Sequence, residues 1–462
     1  MQQGNRKLFR FVVATFFIFE IISVRASESE LLEAAQRNNT ETVLTLLAEG
    51  INVNASQPDG ATALHWAAHW NEISVAQQLI DVGAVVSAVN EFGLTPLSVA
   101  CRNGSATMVS FLLASGADAT AAQPSGETVL MTCARTGSRE AVEQLLAGGA
   151  NPDAMEERSG QTALMWAAAE GHSAVIHALI EAGADVNASS HGNFTALLFA
   201  ARAGALDVSR HLLGAGAEVN VATTVGHSAL LIAAASLDAI TGSDYRLVVE
   251  SSDHEALGLL LLEHGADVAQ VDQYGMTPLH YVVEMGKPVL LNALLEKNAN
   301  PNAQLTEGLP FRRGDYVGRG SYNGASPFWL AARLGETGMM ESLLAAGADP
   351  ELSSAFGVTP LLVAAGLTQS DARMVAEEKL LAAVKMLVVD VGVDINAVDR
   401  NGQTAIHGAA NVSGNRLIEF LVDHGVDPMA LDNRGNTPLD VARRTQRPRP
   451  ITAALIQELA AQ

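Results

Sequence analysis

The chain is poor in several things at once. Aromatic residues fill only 5% of its 462 positions, so a core of large rings is excluded, and Ala and Leu between thin helices must do that work. Two cysteines are too few for a disulfide framework or for a four-cysteine zinc site. Basic residues are scarce: 28 Lys and Arg face 50 Asp and Glu, a net charge of −22, which argues against nucleic acid or an anionic membrane as partner. Beyond residue 26 there is no apolar run approaching the roughly 20 residues that a bilayer crossing needs. Nor does any nucleophile beside a base, any carboxylate pair in unusual context, or any nucleotide-cradling loop stand out. Asp153, Asp185, Asp267, Asp349 and Asp399 recur at equivalent positions and are turn residues first.

What the chain has in abundance is repetition. Thr62-Ala63-Leu64-His65 returns as Thr95-Pro96-Leu97-Ser98, Thr128-Val129-Leu130-Met131, Thr162-Ala163-Leu164-Met165 and Thr195-Ala196-Leu197-Leu198, with further copies starting at Ser228, Thr277, Ser326, Thr359, Thr404 and Thr437. Seven of the ten intervals are 33 or 34 residues. Two small residues follow each tetrapeptide (Ala67-Ala68, Ala331-Ala332), then a turn, an apolar helix, and a phrase such as Gly183-Ala184-Asp185-Val186-Asn187. Thr suits a helix N-cap and Pro the first helical turn, where its missing N–H costs nothing. The small residues let helices approach closely, and the glycine provides a left-handed helix end.

This period with this tetrapeptide resembles the ankyrin repeat, over residues from about 28 to 462. The resemblance implies an all-α solenoid of about twelve helix-turn-helix repeats, with short β-hairpin-like fingers beside a concave face. Glu30 to Gly50 reads as an N-terminal cap within 27–60, residues 61–236 as regular repeats, and 436–462 as a C-terminal cap. Three intervals overshoot. Their extra residues fall at 237–253 and 367–378, each between the two helices of a repeat, and at 304–323, in the hairpin between two repeats.

Residues 1–26 stand apart. Arg6, Lys7 and Arg10 precede a mostly apolar stretch from Leu8 to Val24, and Val24-Arg25-Ala26 places small residues where a signal peptidase reads. The segment is expected to be a secretory signal, although Glu20 inside it also fits an uncleaved inner-membrane anchor. Cleavage leaves 24 basic against 49 acidic residues, a net charge of −25 that favours a soluble monomer. Cys101 and Cys133 occupy the small positions of adjacent first helices. Helices pack about 8–10 Å apart, whereas a disulfide needs α-carbons within about 7 Å. Both are therefore expected to be buried free thiols. Export without a disulfide framework points to a bacterial periplasm.

Two patterns suggest a binding surface. The 304–323 insert concentrates Arg312, Arg313, Tyr316, Arg319 and Tyr322, with Tyr274 upstream and Trp329 just after. Tyr, Trp and Arg are the side chains enriched where protein partners bind. The alternative is that the aromatics hold a long loop onto its own scaffold. The second pattern lies seven residues after each tetrapeptide start: His69, Arg102, Arg135, Ala169, Arg202, Ala235, Glu284, Arg333, Gly366, Asn411 and Arg444. The resemblance implies that this row lines the concave face, where arginines can grip acidic segments of a partner. As the bland alternative, they are helix-favouring residues paired with neighbouring acids. His65 and His69 share zinc-binding spacing, but no Glu follows the first, and His65, His280 and His407 hold the family's structural position. No metal or cofactor is expected. These observations predict a non-enzymatic, exported, protein-binding scaffold. The alternatives are a small-anion-binding or catalytic protein whose pocket the 304–323 loop closes, and an inner-membrane-anchored relative.

Overall fold

Most repeats open with the same local event. The threonine takes extended backbone angles, and its hydroxyl accepts the amide of the residue three positions on, as at Thr95 to Ser98 (3.1 Å), Thr128 to Met131 (3.2 Å) and Thr277 to His280 (3.3 Å). This satisfies a donor that the first helical turn leaves over. Pro96, Pro278, Pro327, Pro360 and Pro438 occupy the first turn, where no amide partner is lost.

The computed structural model describes residues 28–235, 252–307, 322–369, 375–444 and 448–462. Among these residues the secondary structure is helical, with isolated antiparallel bridges such as Ser56 to Thr62 and Ala122 to Thr128 at the feet of the fingers. None of their helices is long and apolar enough to cross a membrane. The chain forms two units, one of Met1–Ala203 with Asp207–Ala217, the other of Gly204–Leu206 with Glu218–Gln462.

In the first unit the first helices are Ala63–Trp70, Pro96–Arg102, Val129–Thr136, Ala163–Ala169 and Ala196–Ala203. Each touches the next along the row, and the second helices, such as Ala106–Ala114 and Arg139–Ala147, form a parallel row behind them. Ala68, Ala100, Ala134, Ala167 and Ala200 are wholly buried, and these small side chains allow the close approach. The second unit repeats the scheme from Ala229–Ala235 through Pro278–Met285, Pro327–Leu334, Pro360–Ala364 and Ala405–Val412 to the terminal pair Pro438–Ala442 and Pro450–Leu459. This is the all-α ankyrin-type solenoid that the repeats imply.

Fingers stack by backbone hydrogen bonds: Glu91 N–H donates to Asp59 C=O (2.8 Å), Glu157 to Ser125 (2.9 Å), Ala355 to Asn323 (2.7 Å) and Asn433 to Asn401 (2.8 Å). The insertion after Thr359 is partly helical. Its second helix runs through Glu377–Lys385 into a π-helical Met386–Val391, nine residues plus six, where the preceding repeat uses nine in Thr337–Ala345. The long helix absorbs part of the extra length. Residues 1–27, most of 237–253, 308–321 and part of 367–378 lie outside the described residues.

The cysteines correct a sequence expectation. Cys101 and Cys133 are joined by a disulfide, their α-carbons 4.6 Å apart. The 8–10 Å helix spacing is a distance between axes. Each Cα stands about 2.3 Å off its axis, so two residues facing each other across a close pair come well within bridging range. Both residues are fully buried.

Candidate functional site

The row arginines differ in their partners. In the second unit, Arg333 lies near the end of the helix Pro327–Leu334 and Glu284 near the end of Pro278–Met285, one repeat earlier. Arg333 donates to the Glu284 carboxylate at 2.8 Å, and the two side chains are 8% and 5% exposed. The guanidinium also lies 5.2 Å from the Tyr322 ring centre, and Tyr322 meets Trp329 edge-on at 5.8 Å. Trp329 Nε1 donates to the Val358 carbonyl (2.8 Å), and Gln369 Nε2 donates to the Arg333 carbonyl (3.0 Å). Tyr322, Trp329 and Arg333 are thus brought together, as the sequence proximity suggested, but they are buried and hold the foot of the long finger to the scaffold. Tyr274 is half-buried, and its carbonyl accepts from the Thr306 and Glu307 amides, pinning the other strand of that foot. Arg312, Arg313, Tyr316 and Arg319 lie outside the described residues.

In the first unit the row is open. Arg102, Arg135 and Arg202 each sit near the end of a first helix and are exposed. A cation there complements the helix dipole, which accounts for the residue type but not for its lack of partners. None of the ion pairs formed among the described residues involves these three arginines. Arg135 instead lies over the Trp166 ring at 5.0 Å. One repeat before Arg102, His69 is wedged between Trp66 and Trp70, with ring centres 5.7 and 4.7 Å away. Trp66 Nε1 donates to Gln57 and Trp70 Nε1 to the Gln36 carbonyl, which fixes both rings while leaving Trp70 43% exposed.

His65, His280 and His407 are structural. His65 Nδ1 accepts the Thr62 amide (3.1 Å) and its Nε2 donates to the Leu94 carbonyl (3.0 Å), since an amide only donates and a carbonyl only accepts. His280 and His407 repeat this with Thr277 and Ala325, and with Thr404 and Asn436. Both ring nitrogens are committed in the neutral form. Burial lowers the affinity of all three for a second proton, down to about 4 for His280. Among the described residues no group of three or more His, Cys, Asp or Glu is placed to hold a metal ion. A polar cavity of about 210 Å³ lies in the second unit, lined by residues including Gln403, Asn411, Asp432, Arg434 and Arg444.

Sequence reasoning did not pair Glu284 with Arg333 or single out Trp166. The signal for the first was present, because the two are successive row positions of opposite charge.

Comparison with known families agrees with this architecture. Models described as ankyrin repeats (3 copies) match residues 31–123 and 120–190, one described as ankyrin repeats (many copies) matches 387–442, and the single ankyrin repeat matches 192–224 and 274–304. The chain is 34% identical over 119 residues to the B-cell lymphoma 3 protein homolog of Mus musculus, covering 26% of this chain and 23% of that protein. It is 37% identical over 73 residues to Rabankyrin-5 of Homo sapiens, covering 16% of this chain and 6% of that one. The matches thus span less than a quarter of either relative. With repeat models matching along more than half of its length, the chain belongs to the ankyrin repeat family.

Proposed function

We propose that this protein is a non-enzymatic scaffold, exported from the cytoplasm, that holds a protein partner on the open first-helix face of its first unit. The observation that carries the reading is the contrast within one row. Arg333 is buried against Glu284, whereas Arg102, Arg135 and Arg202 are exposed with no ionic partner among the described residues. Arginine and tryptophan are the side chains enriched among interface anchors, and the Trp66 and Trp70 rings are held in place in advance by their Nε1 hydrogen bonds. The ankyrin repeat family ordinarily works by protein–protein interaction. Export is supported by the basic-then-apolar residues 1–26 and by the Cys101–Cys133 disulfide, which persists in an oxidising compartment. Arg312, Arg313, Tyr316 and Arg319 are proposed as a second contact on the long finger.

Replacing Arg102, Arg135 and Arg202 together by alanine should reduce recovery of the partner from the native host at least tenfold, with an unchanged melting temperature. Unchanged recovery refutes the face. Intact mass of the host-produced protein should correspond to a start at Ser27, whereas a chain retaining residues 1–26 identifies an anchored protein instead. A second reading, binding of a small anion, is favoured by the two arginines at the C-terminal cavity, Arg434 and Arg444, which outnumber its one carboxylate, Asp432. A thermal shift with small dicarboxylates that R434A/R444A abolishes would establish it.

A further inference from the structure

The open row is a set of cations one or two repeats apart, and that spacing selects a conformation for whatever lies on it. The crosslinked cysteines stand 4.6 Å apart in Cα on the helices that carry Arg102 and Arg135. Adding a Cα radius of about 2.3 Å on each side puts the two axes about 9 Å apart. A β-strand cannot answer this interval with one face, since its side chains alternate and positions i and i+3 point oppositely. A polyproline II segment can. It has three residues per turn and rises about 3.1 Å per residue, so every third side chain returns to the same face after about 9 Å.

Resting on the scaffold reading above, we infer that the partner presents an extended acidic segment in polyproline II conformation. Its carboxylates at i, i+3 and i+9 meet Arg102, Arg135 and Arg202, and an apolar side chain near i−3 lies against Trp66 and Trp70. The gap at i+6 is part of the code. The row residue there is Ala169, followed by exposed Glu170, so an acid at i+6 meets a like charge. The second unit contains an internal copy of the contact: Glu284 reaches Arg333 from the neighbouring repeat at 2.8 Å, beside the Tyr322 ring. Arg135, laid over Trp166 at 5.0 Å, has the same stacked form with no carboxylate supplied. A guanidinium stacked on a ring keeps its N–H edge available for bidentate pairing. The chain's net charge of −22 does not cancel this attraction. At physiological salt the screening length is about 8 Å, so a segment in contact with the row feels the arginines beneath it.

The test uses the full chain and two proline-rich synthetic peptides of identical composition. One carries Glu at i, i+3 and i+9 with Leu at i−3; the other has the glutamates moved to i+1, i+5 and i+6. Trp66, Trp70 and Trp166 are three of the four tryptophans in the protein, so intrinsic fluorescence reports binding on this face. The in-register peptide should bind at least tenfold more tightly than its isomer, and R135A should reduce that preference at least threefold while circular dichroism stays unchanged. Equal affinities, or a preference undiminished in R135A, overturn the inference. Tighter binding of oligothymidylate than of the in-register peptide would assign the row to single-stranded nucleic acid and overturn it as well. If the peptides fail while the triple arginine variant still loses the native partner, the scaffold reading stands and only the acidic segment falls. If the variant also keeps the partner, both fall.

Discussion

The Cys101–Cys133 bridge makes the most direct quantitative prediction. It ties the helix Pro96–Arg102 to Val129–Thr136 and closes a loop with a sequence separation of 32. Loop-closure entropy for that length is worth about 3.7 kcal/mol. In a solenoid the effect should stay local, because each repeat contacts only its neighbours. The enclosed helix Ala106–Ala114 should therefore feel it, and Asn415–Asp423 in the other unit should not. In C101A/C133A, hydrogen exchange of the Ala106–Ala114 amides should accelerate by up to several hundred-fold, the equivalent of about 3.7 kcal/mol. Exchange in Asn415–Asp423 should be unchanged. Alanine is already the prevailing residue at these positions, so the double variant removes the crosslink with little repacking. Exchange rates equal within a factor of two in both helices would refute the reasoning. So would alkylation of both cysteines in unreduced, denatured wild-type protein.

Other outcomes follow from the buried polar groups. His280 has a pKa of about 4 against an ordinary value of 6.5, with desolvation the main cause. Because the unfolded chain binds the proton more readily, stability is full above pH 6.5 and declines as pH falls, by about 2 kcal/mol at pH 5 and roughly 3 kcal/mol below pH 4. Urea midpoints at pH 7 and pH 5 should show this loss, and H280Q should show a smaller one, with His65 and His407 accounting for the remainder in the same direction. Replacing Arg333 by alanine takes the guanidinium away from the buried Glu284 and should cost about 3 kcal/mol or more by denaturant unfolding, partly recovered in R333A/E284Q. A loss below 0.5 kcal/mol would mean that the pair does not hold the second unit together.

The fold was legible because every repeat restates the same local solution. Thr or Ser at the cap, Pro in the first turn of five copies and Ala at most helix contacts recur down the chain, and propensity, capping and packing all point one way. The candidate site was only partly legible. Tyr322, Trp329 and Arg333 carry the composition of an interface, yet a ring with one polar atom serves equally well under a loop if that atom finds a carbonyl, as Trp329 Nε1 does at Val358. What decides between the uses is the neighbouring repeat. Arg333 has Glu284 one row position back, across an interval of 49 residues, whereas Arg102 has Arg135 ahead and His69 behind. The sign of the adjacent row residue was available in the chain but becomes meaningful only once the row is known to be contiguous in space. The disulfide was missed for a different reason, because an axis-to-axis distance was set against a criterion written for α-carbons.

The disulfide and the arginine row meet at the same two helices, and this gives the crosslink a consequence beyond stability. Cys101 directly precedes Arg102, and Cys133 stands two residues before Arg135. Thr136 Oγ1 donates to the Cys101 carbonyl at 3.0 Å, adding a hydrogen bond across the same helix pair. The interval between the two cations is thus held at the point where the acidic segment would measure it. Binding to a pre-set interval avoids an ordering cost of about 0.5–1.5 kcal/mol for each side chain that would otherwise be immobilised. Two arginines would then account for about 1–3 kcal/mol, a loss of affinity of roughly five-fold to a hundred-fold when the bridge is removed. C101A/C133A should bind the in-register peptide more weakly by that factor, although no atom that touches the peptide has changed, and the permuted peptide should be indifferent to the bridge. If both peptides weaken equally, the bridge acts through the stability of the repeat alone. If neither weakens, the spacing of Arg102 and Arg135 is set by the packing of Ala100 and Ala134, and the crosslink contributes only to the unfolding equilibrium.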